Sequence, residues 1–199
     1  MSQFLEQLAR PRPDPGGGAA AAYGATLALA LLEKIILLEG RRHPQAPDQA
    51  RFREARRKEA HSLAQALSQL QREDVQAYFQ FSRARAGGDQ GEAVAAAGLH
   101  AFQVPRQIMD KCLQALDLAW RVGQSCKRHL FSDLLVVAEF LEAGLQGAGH
   151  IARANLRLIP QGFQRDALSQ ELYRVVQQGD EILLKIKAVG HIPGEPPKP

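Results

Sequence analysis

Residues 15–40 read PGGGAAAAYGATLALALLEKIILLEG, and the reading of this stretch decides the fold. From Gly16 to Leu38 it is apolar enough, and at about 20 residues long enough, to cross a bilayer. Against a membrane span stand Glu33 and Lys34 inside the segment, and Tyr23, Thr26 and many Gly and Ala residues that dilute its hydrophobicity. The alternative is a helix that is apolar on nearly every side because other helices cover it. Ala and Leu are strong helix formers, and Gly40 supplies the stop. The stretch therefore predicts a core helix of an all-α protein, with no membrane as partner.

Working outward, residues 2–9 predict a short first helix, stopped by Pro11, Pro13 and Pro15. After a loop carrying Pro44 and Pro47, Asp48 is placed to cap a third helix reaching about Arg85. Gly87, Gly88 and Gly91 break the chain again. A fourth helix spans 92–122 and contains Pro105, where a kink or break is expected. Ser132 reads as the N-cap of a fifth helix ending before Pro160, and a sixth covers 164–188. The Pro-rich tail from Gly190 to Pro199 is expected to be loose. With no β-branched runs bounded by turns, the expectation is one domain over 1–199, about six helices, with its core in 3–188.

Composition agrees: 45% of the 199 residues are hydrophobic, 23% charged and only 6% aromatic. The net charge of +4 comes mainly from arginine, much of it between Arg41 and Lys58. Glu54 and Glu59 dilute that run and no aromatic residues interleave it, so nucleic acid is not expected as a partner. A solvated helix face and a site that steers a small anion both remain open. Cys112 and Cys126 have no CxxC spacing, which argues against a disulfide framework and fits a reducing cytoplasm. The opening MSQFLEQLARPRPDP has no apolar region of a secretory signal. The six histidines form no HxxxH or HExxH pair, and no set of His, Cys and carboxylate has ligand spacing. No metal is expected.

Four features can carry chemistry. Gly16, Gly17 and Gly18 lead straight into a helix, where missing Cβ atoms and unpaired N–H groups admit a ligand or another backbone. Asp74 falls on the apolar stripe Leu63, Leu67, Leu70, Ala77, Tyr78 and Phe81 of the third helix. A carboxylate facing a core is costly unless it is paired, caps something or has a chemical task. Ser132-Asp133 at a helix start is ordinary capping chemistry, with the helix dipole favouring the ionised carboxylate. Asn155 is the only asparagine in the chain, and it continues the stripe Asp133, Val137, Phe140, Gly144, Gly147 and Ile151. Glu139, Glu142, Arg153 and Arg157 line the opposite side of that helix, so Asn155 is expected to point inward, where its amide needs partners.

In order along the chain, these pieces resemble the cyclodeaminase/cyclohydrolase family of tetrahydrofolate enzymes. The resemblance rests on Pro15-Gly16-Gly17-Gly18, then Asp74-Val75-Gln76-Ala77-Tyr78-Phe79, then Val104-Pro105 with Cys112 following. Ser132-Asp133-Leu134, Gly147-Ala148 and Asn155-Leu156 complete it, covering roughly residues 3–159. The chain departs from the family pattern at Cys126-Lys127, where Gly-Asn is usual, at Leu135 for Gly, and at Ile151 for Asn. It also departs at Gly40-Arg41-Arg42-His43-Pro44, where the family has a Lys-rich, Tyr-containing segment.

The resemblance implies a helical homodimer with its site near the subunit interface, acting on a reduced folate without metal or redox cofactor. Members hydrolyse 5,10-methenyltetrahydrofolate to 10-formyltetrahydrofolate or cyclise 5-formiminotetrahydrofolate with loss of ammonia. On that basis Asp133 or Asp74 is expected to move protons, with Asp133 favoured as an ionised base. Ser132 and Asn155 are expected at the substrate, Gly16, Gly17 and Gly18 admit the ring, and Arg41 and Arg42 meet the glutamate tail. A non-catalytic homolog that binds folate or a protein partner is the other reading.

Overall fold

The apolar stretch becomes the second of six helices in the computed structural model, which describes residues 3–40, 47–87, 91–159 and 163–189. The helices are α1 (Gln3–Leu8), α2 (Gly17–Glu39), α3 (Pro47–Ala86), α4 (Glu92–Gly123), α5 (Phe131–Asn155) and α6 (Phe163–Val189). Single 3-10 turns occupy Arg128–Leu130 and Leu156–Leu158, and there is no strand among the described residues.

One face of α2 is closed off inside the bundle, where Ala19, Ala22, Ala25, Leu32 and Ile35 are fully buried against α3, α4 and α5. Its small residues set how close α5 can come. A Cβ at Gly144 would stand 3.2 Å from both the Ala21 carbonyl and the Ala25 Cβ. By length and composition α2 passes for a membrane span, yet its packed face belongs to the same core as Leu67, Leu116, Leu118 and Leu141. Each of these leucines adds about 1.5–3 kcal/mol when taken fully out of water. Cross-helix ion pairs, Arg121 with Glu59 and Arg106 with Glu171, lace the surface. In the basic run, Arg57 is held by Glu54 and Glu33, and Arg56 donates to Ser125, so much of that run is a paired helix face.

Unequal helix lengths shape one end of the bundle. Gly40 at one end of α2 lies against Arg53, and Gly18 at the other lies against Asp74, so α3 runs antiparallel along α2. Twelve more residues of α3, from Val75 to Ala86, continue past the start of α2. At 1.5 Å per residue this overhang is about 18 Å long. Across from it α5 rises beside α2, with Gly17 against Ile151, and continues into the Leu156–Leu158 turn. A slot is left above the N-terminus of α2.

Three local expectations are corrected. α4 does not break at Pro105, and the carbonyl that proline leaves free finds another donor, described below. Ser132 is not a cap: the Arg128–Leu130 turn feeds directly into α5, which starts at Phe131, and Ser132 is exposed in its first turn. Along α5, Val137 and Gly144 are buried as expected, but Phe140 is 44% exposed while Glu142 is only 8% exposed. The buried stripe is rotated toward α4 and α6. Gly179 on α6 lets Glu142 in, and burial raises its carboxyl pKa, with Asp180 adding to the rise.

Candidate active site

The slot above α2 is a cavity of about 700 Å3. Gly16, Gly17 and Gly18 form its floor, Asp74, Tyr78, Phe81 and Arg85 of α3 one wall, and Ile151, Asn155 and Arg157 the other. Of the expected site residues, the fold therefore gathers the three glycines, Asp74 and Asn155.

Gly16 occupies the N-cap of α2 in an extended conformation and has no side chain with which to cap. The donor that an N-cap serine would satisfy is the N–H two or three residues on. Asp74 does this from another helix: the Ala19 N–H donates to its Oδ2 at 2.9 Å. Among the described residues Oδ1 has no partner. The side chain is half-buried, and burial drives its pKa up; the Ala19 bond offsets only part of that rise. The structural reading of Asp74, a satisfied internal cap, is met. It is a cap supplied in trans, and it keeps one oxygen free at the floor of a cavity.

The three glycines differ in what they permit. A Cβ at Gly16 would meet nothing closer than the Pro13 carbonyl at 3.6 Å, and one at Gly17 would stand 3.0 Å from the Ile151 Cδ1. At Gly18 a Cβ would overlap the Asp74 carboxylate, 2.7 Å from its Cγ. Only Gly18 is tied to the carboxylate.

Asn155 donates from Nδ2 to the Ala101 carbonyl at 2.8 Å. Ala101 is four residues before Pro105, so it is the carbonyl whose helical partner the proline ring removed. The lone asparagine repairs α4, and its Oδ1 has no protein partner among the described residues, while the residue lines the cavity. Asn155→Ala should cost about 1–3 kcal/mol, the penalty of a buried acceptor left unpaired. In a Pro105→Ala background the backbone N–H returns, and most of that cost should vanish. Urea melts of the two single variants and the double variant check this; strictly additive effects would refute the link.

Asp133 and Ser132 are not brought here. Asp133 lies 22 residues before Asn155 on α5, roughly 33 Å along the helix, so one protomer cannot place both at one substrate. Its side chain is 42% exposed and 3.9 Å from Lys34 Nζ. Ser132 is beside it, exposed. Arg41 and Arg42 lie outside the described residues. Sequence reasoning missed Arg85 and Arg157 as cavity residues. Their signal was the surplus length of α3 and α5 over α2. Among the described residues no three His, Cys, Asp or Glu side chains group as a metal site would.

The comparisons with known proteins bear on the same elements. No curated protein matches the chain. The crystal structure of a formiminotetrahydrofolate cyclodeaminase from Thermotoga maritima is similar to it, with a TM-score of 0.86 at 21% identity over 95% of each chain. At that identity the likeness establishes the shared helical fold. The sequence model of the formiminotransferase-cyclodeaminase family matches residues 1–174, taking in the PGGG floor, Asp74, Pro105 and Asn155 in one alignment. A match over that much of the chain leaves no other assignment to weigh, and the protein belongs to the formiminotransferase-cyclodeaminase family.

Proposed function

We propose that the cavity closes the ring of 5-formiminotetrahydrofolate with loss of ammonia, and that Asp74 moves the protons. The observation that carries this is the Asp74 carboxyl itself: one oxygen fixed by the Ala19 N–H, the other free, and a pKa raised by burial. A carboxyl poised in this way serves as acid and base in turn. In its protonated form it gives a proton to the formimino nitrogen. The N10 lone pair then forms the bond to the formimino carbon, and the N10 proton returns to Asp74. A second transfer from Asp74 lets the nitrogen leave as ammonia, giving the methenyl cation, and water reprotonates the carboxylate. Unpaired N–H groups at the start of α2 favour the ionised carboxylate left at the end. Tyr78 and Phe81 offer aromatic faces to a flat ring.

The experiment is to mix purified protein with 5-formiminotetrahydrofolate and follow methenyl absorbance and ammonia together, expecting equal amounts. Loss of the methenyl signal on supplying 5,10-methenyltetrahydrofolate would instead identify hydrolysis to 10-formyltetrahydrofolate. A non-catalytic folate-binding homolog is the second reading. The apolar Ile151 against Gly17, where the family carries Asn, favours it. No change in either substrate would favour it. The free thiols Cys112 and Cys126 suit a reducing, cytoplasmic setting.

The homodimer implied by the family fits one surface. α5 lies beside α2 in antiparallel register, which sets Phe140 near Leu27 and Val136 near Leu31 on an outer apolar face. Leu27 is 54% exposed and Phe140 44%. A Cβ at Gly24, between them and the cavity end, would meet nothing within 4 Å. A second copy on this face would form a two-fold contact of the kind most oligomers use. A monomer by light scattering at micromolar concentration would count against it.

A further inference from the structure

Resting on the folate reading above, we infer that Arg85 and Arg157 form a clamp for the carboxylates of the substrate's tail, and so set its specificity. They are the cavity's two cationic side chains and come from opposite walls, Arg85 from the overhang of α3 and Arg157 from the turn after α5. Among the described residues neither has an ion pair or a side-chain hydrogen bond, whereas Arg57, Arg106 and Arg121 are all engaged by carboxylates. Unspent guanidinium groups facing a cavity from two sides suit bidentate capture of carboxylate.

Their place along the slot fits the reaction. Arg85 lies eleven residues after Asp74 on the same helix, roughly 16 Å along its axis, and helix side chains lean back toward the N-terminus. The remaining gap to Asp74 is what a benzoyl ring and an amide span between a reacting nitrogen and a glutamyl carboxylate. Charge is sorted along that line, with the carboxylates Asp14 and Asp74 on the cavity's lining near its glycine floor and the cations at the overhang end. Arg157 is held by backbone packing: Gly98 on α4 has no Cβ, and one there would stand 2.8 Å from the Leu158 carbonyl. The turn carrying Arg157 therefore rests directly on α4.

The test compares 5,10-methenyltetrahydrofolate with its tail-less counterpart, 5,10-methenyltetrahydropteroate, by titration calorimetry. Binding is measured on the parent, Arg85→Ala, Arg157→Ala and the double variant, each first checked by its thermal melt. The expected result is a Kd for the folate weaker by roughly tenfold to a hundredfold in the double variant, as for losing charge-assisted hydrogen bonds. The change for the pteroate should be at least tenfold smaller. Salt should weaken folate binding to the parent more than to the double variant. Arg85→Lys, which keeps the charge and loses the fork, should fall between. Equal weakening for both ligands, or none for either, overturns the clamp. Calorimetry separates this from the reaction: a tail-selective Kd in a protein without turnover sinks only the catalytic reading, and turnover blind to the tail sinks only the clamp. A parent that binds neither compound sinks both.

Discussion

Asp74→Asn is expected to lower turnover by about 10²–10⁴-fold while the protein still folds, the loss usual for a general acid–base group. Asn keeps the shape of the side chain, and its carbonyl oxygen can still accept the Ala19 N–H that Oδ2 accepts now at 2.9 Å. What it cannot do is take a proton from N10 and return it to the leaving nitrogen. The melting temperature should therefore stay close to that of the parent. The change should sit in kcat, with KM little altered, because the interaction is lost in the transition state. The pH profile gives a second check. Burial raises the Asp74 pKa, so the acid form persists above the ordinary aspartate range, and the rate should fall as pH rises through that raised value. In the variant this limb should be absent. Asp133→Asn is the control, since Asp133 is half-buried beside Lys34 at the far end of α5. Should Asp133→Asn abolish turnover and Asp74→Asn spare it, the chemistry would have to sit where one protomer's Asp133 reaches another's cavity.

That control also marks where the sequence was and was not legible. Helix starts and stops were readable to within a residue or two because Gly and Pro act locally: α2, α3 and α4 begin and end beside Gly16, Gly40, Pro47, Gly87, Gly91 and Gly123. Asp74 was readable as anomalous because a carboxylate on a leucine stripe is costly wherever the stripe packs. Its task was not, since the donor it satisfies lies 55 residues away on another helix. The place of Asp133 was illegible for the converse reason. Ser-Asp near a helix start looks the same whether it serves a substrate or only the helix, and only the third dimension sets it apart from the glycines. Asn155 lay between the two cases. Its rarity singled it out, and the proline's orphaned carbonyl could have been counted from the sequence, but nothing local says that residue 155 sits over residue 101.

Gly18→Ala is expected to abolish activity as thoroughly as removing the carboxylate, although a single methyl group is added far from any reacting atom in the sequence. The added Cβ would overlap Oδ1 of Asp74 and stand 2.8 Å from Oδ2, closer than a real methyl approaches an oxygen. Either α2 or the carboxylate must move, and the side chain is the softer of the two. Swinging Asp74 away releases the Ala19 N–H, a loss of about 1 kcal/mol for a capping bond, more where the donor is left buried. Against that, Ala in the first turn of a helix gains up to about 1 kcal/mol over Gly in propensity. The two nearly cancel, so the melt should change by little while turnover falls with the displaced carboxylate. Gly16→Ala separates this from a general effect on the PGGG segment. Its Cβ would have only the Pro13 carbonyl at 3.6 Å as neighbour, an ordinary contact, and its φ of −104° is open to any residue. The pair of variants, assayed by kinetics beside thermal melts, distinguishes a glycine needed to seat a carboxylate from one needed to let a ligand in. If Gly16→Ala is the more damaging, the ligand itself presses on the floor. If Gly18→Ala is harmless in both assays, Asp74 is not held where the Ala19 bond places it, and its role as the proton carrier falls with that.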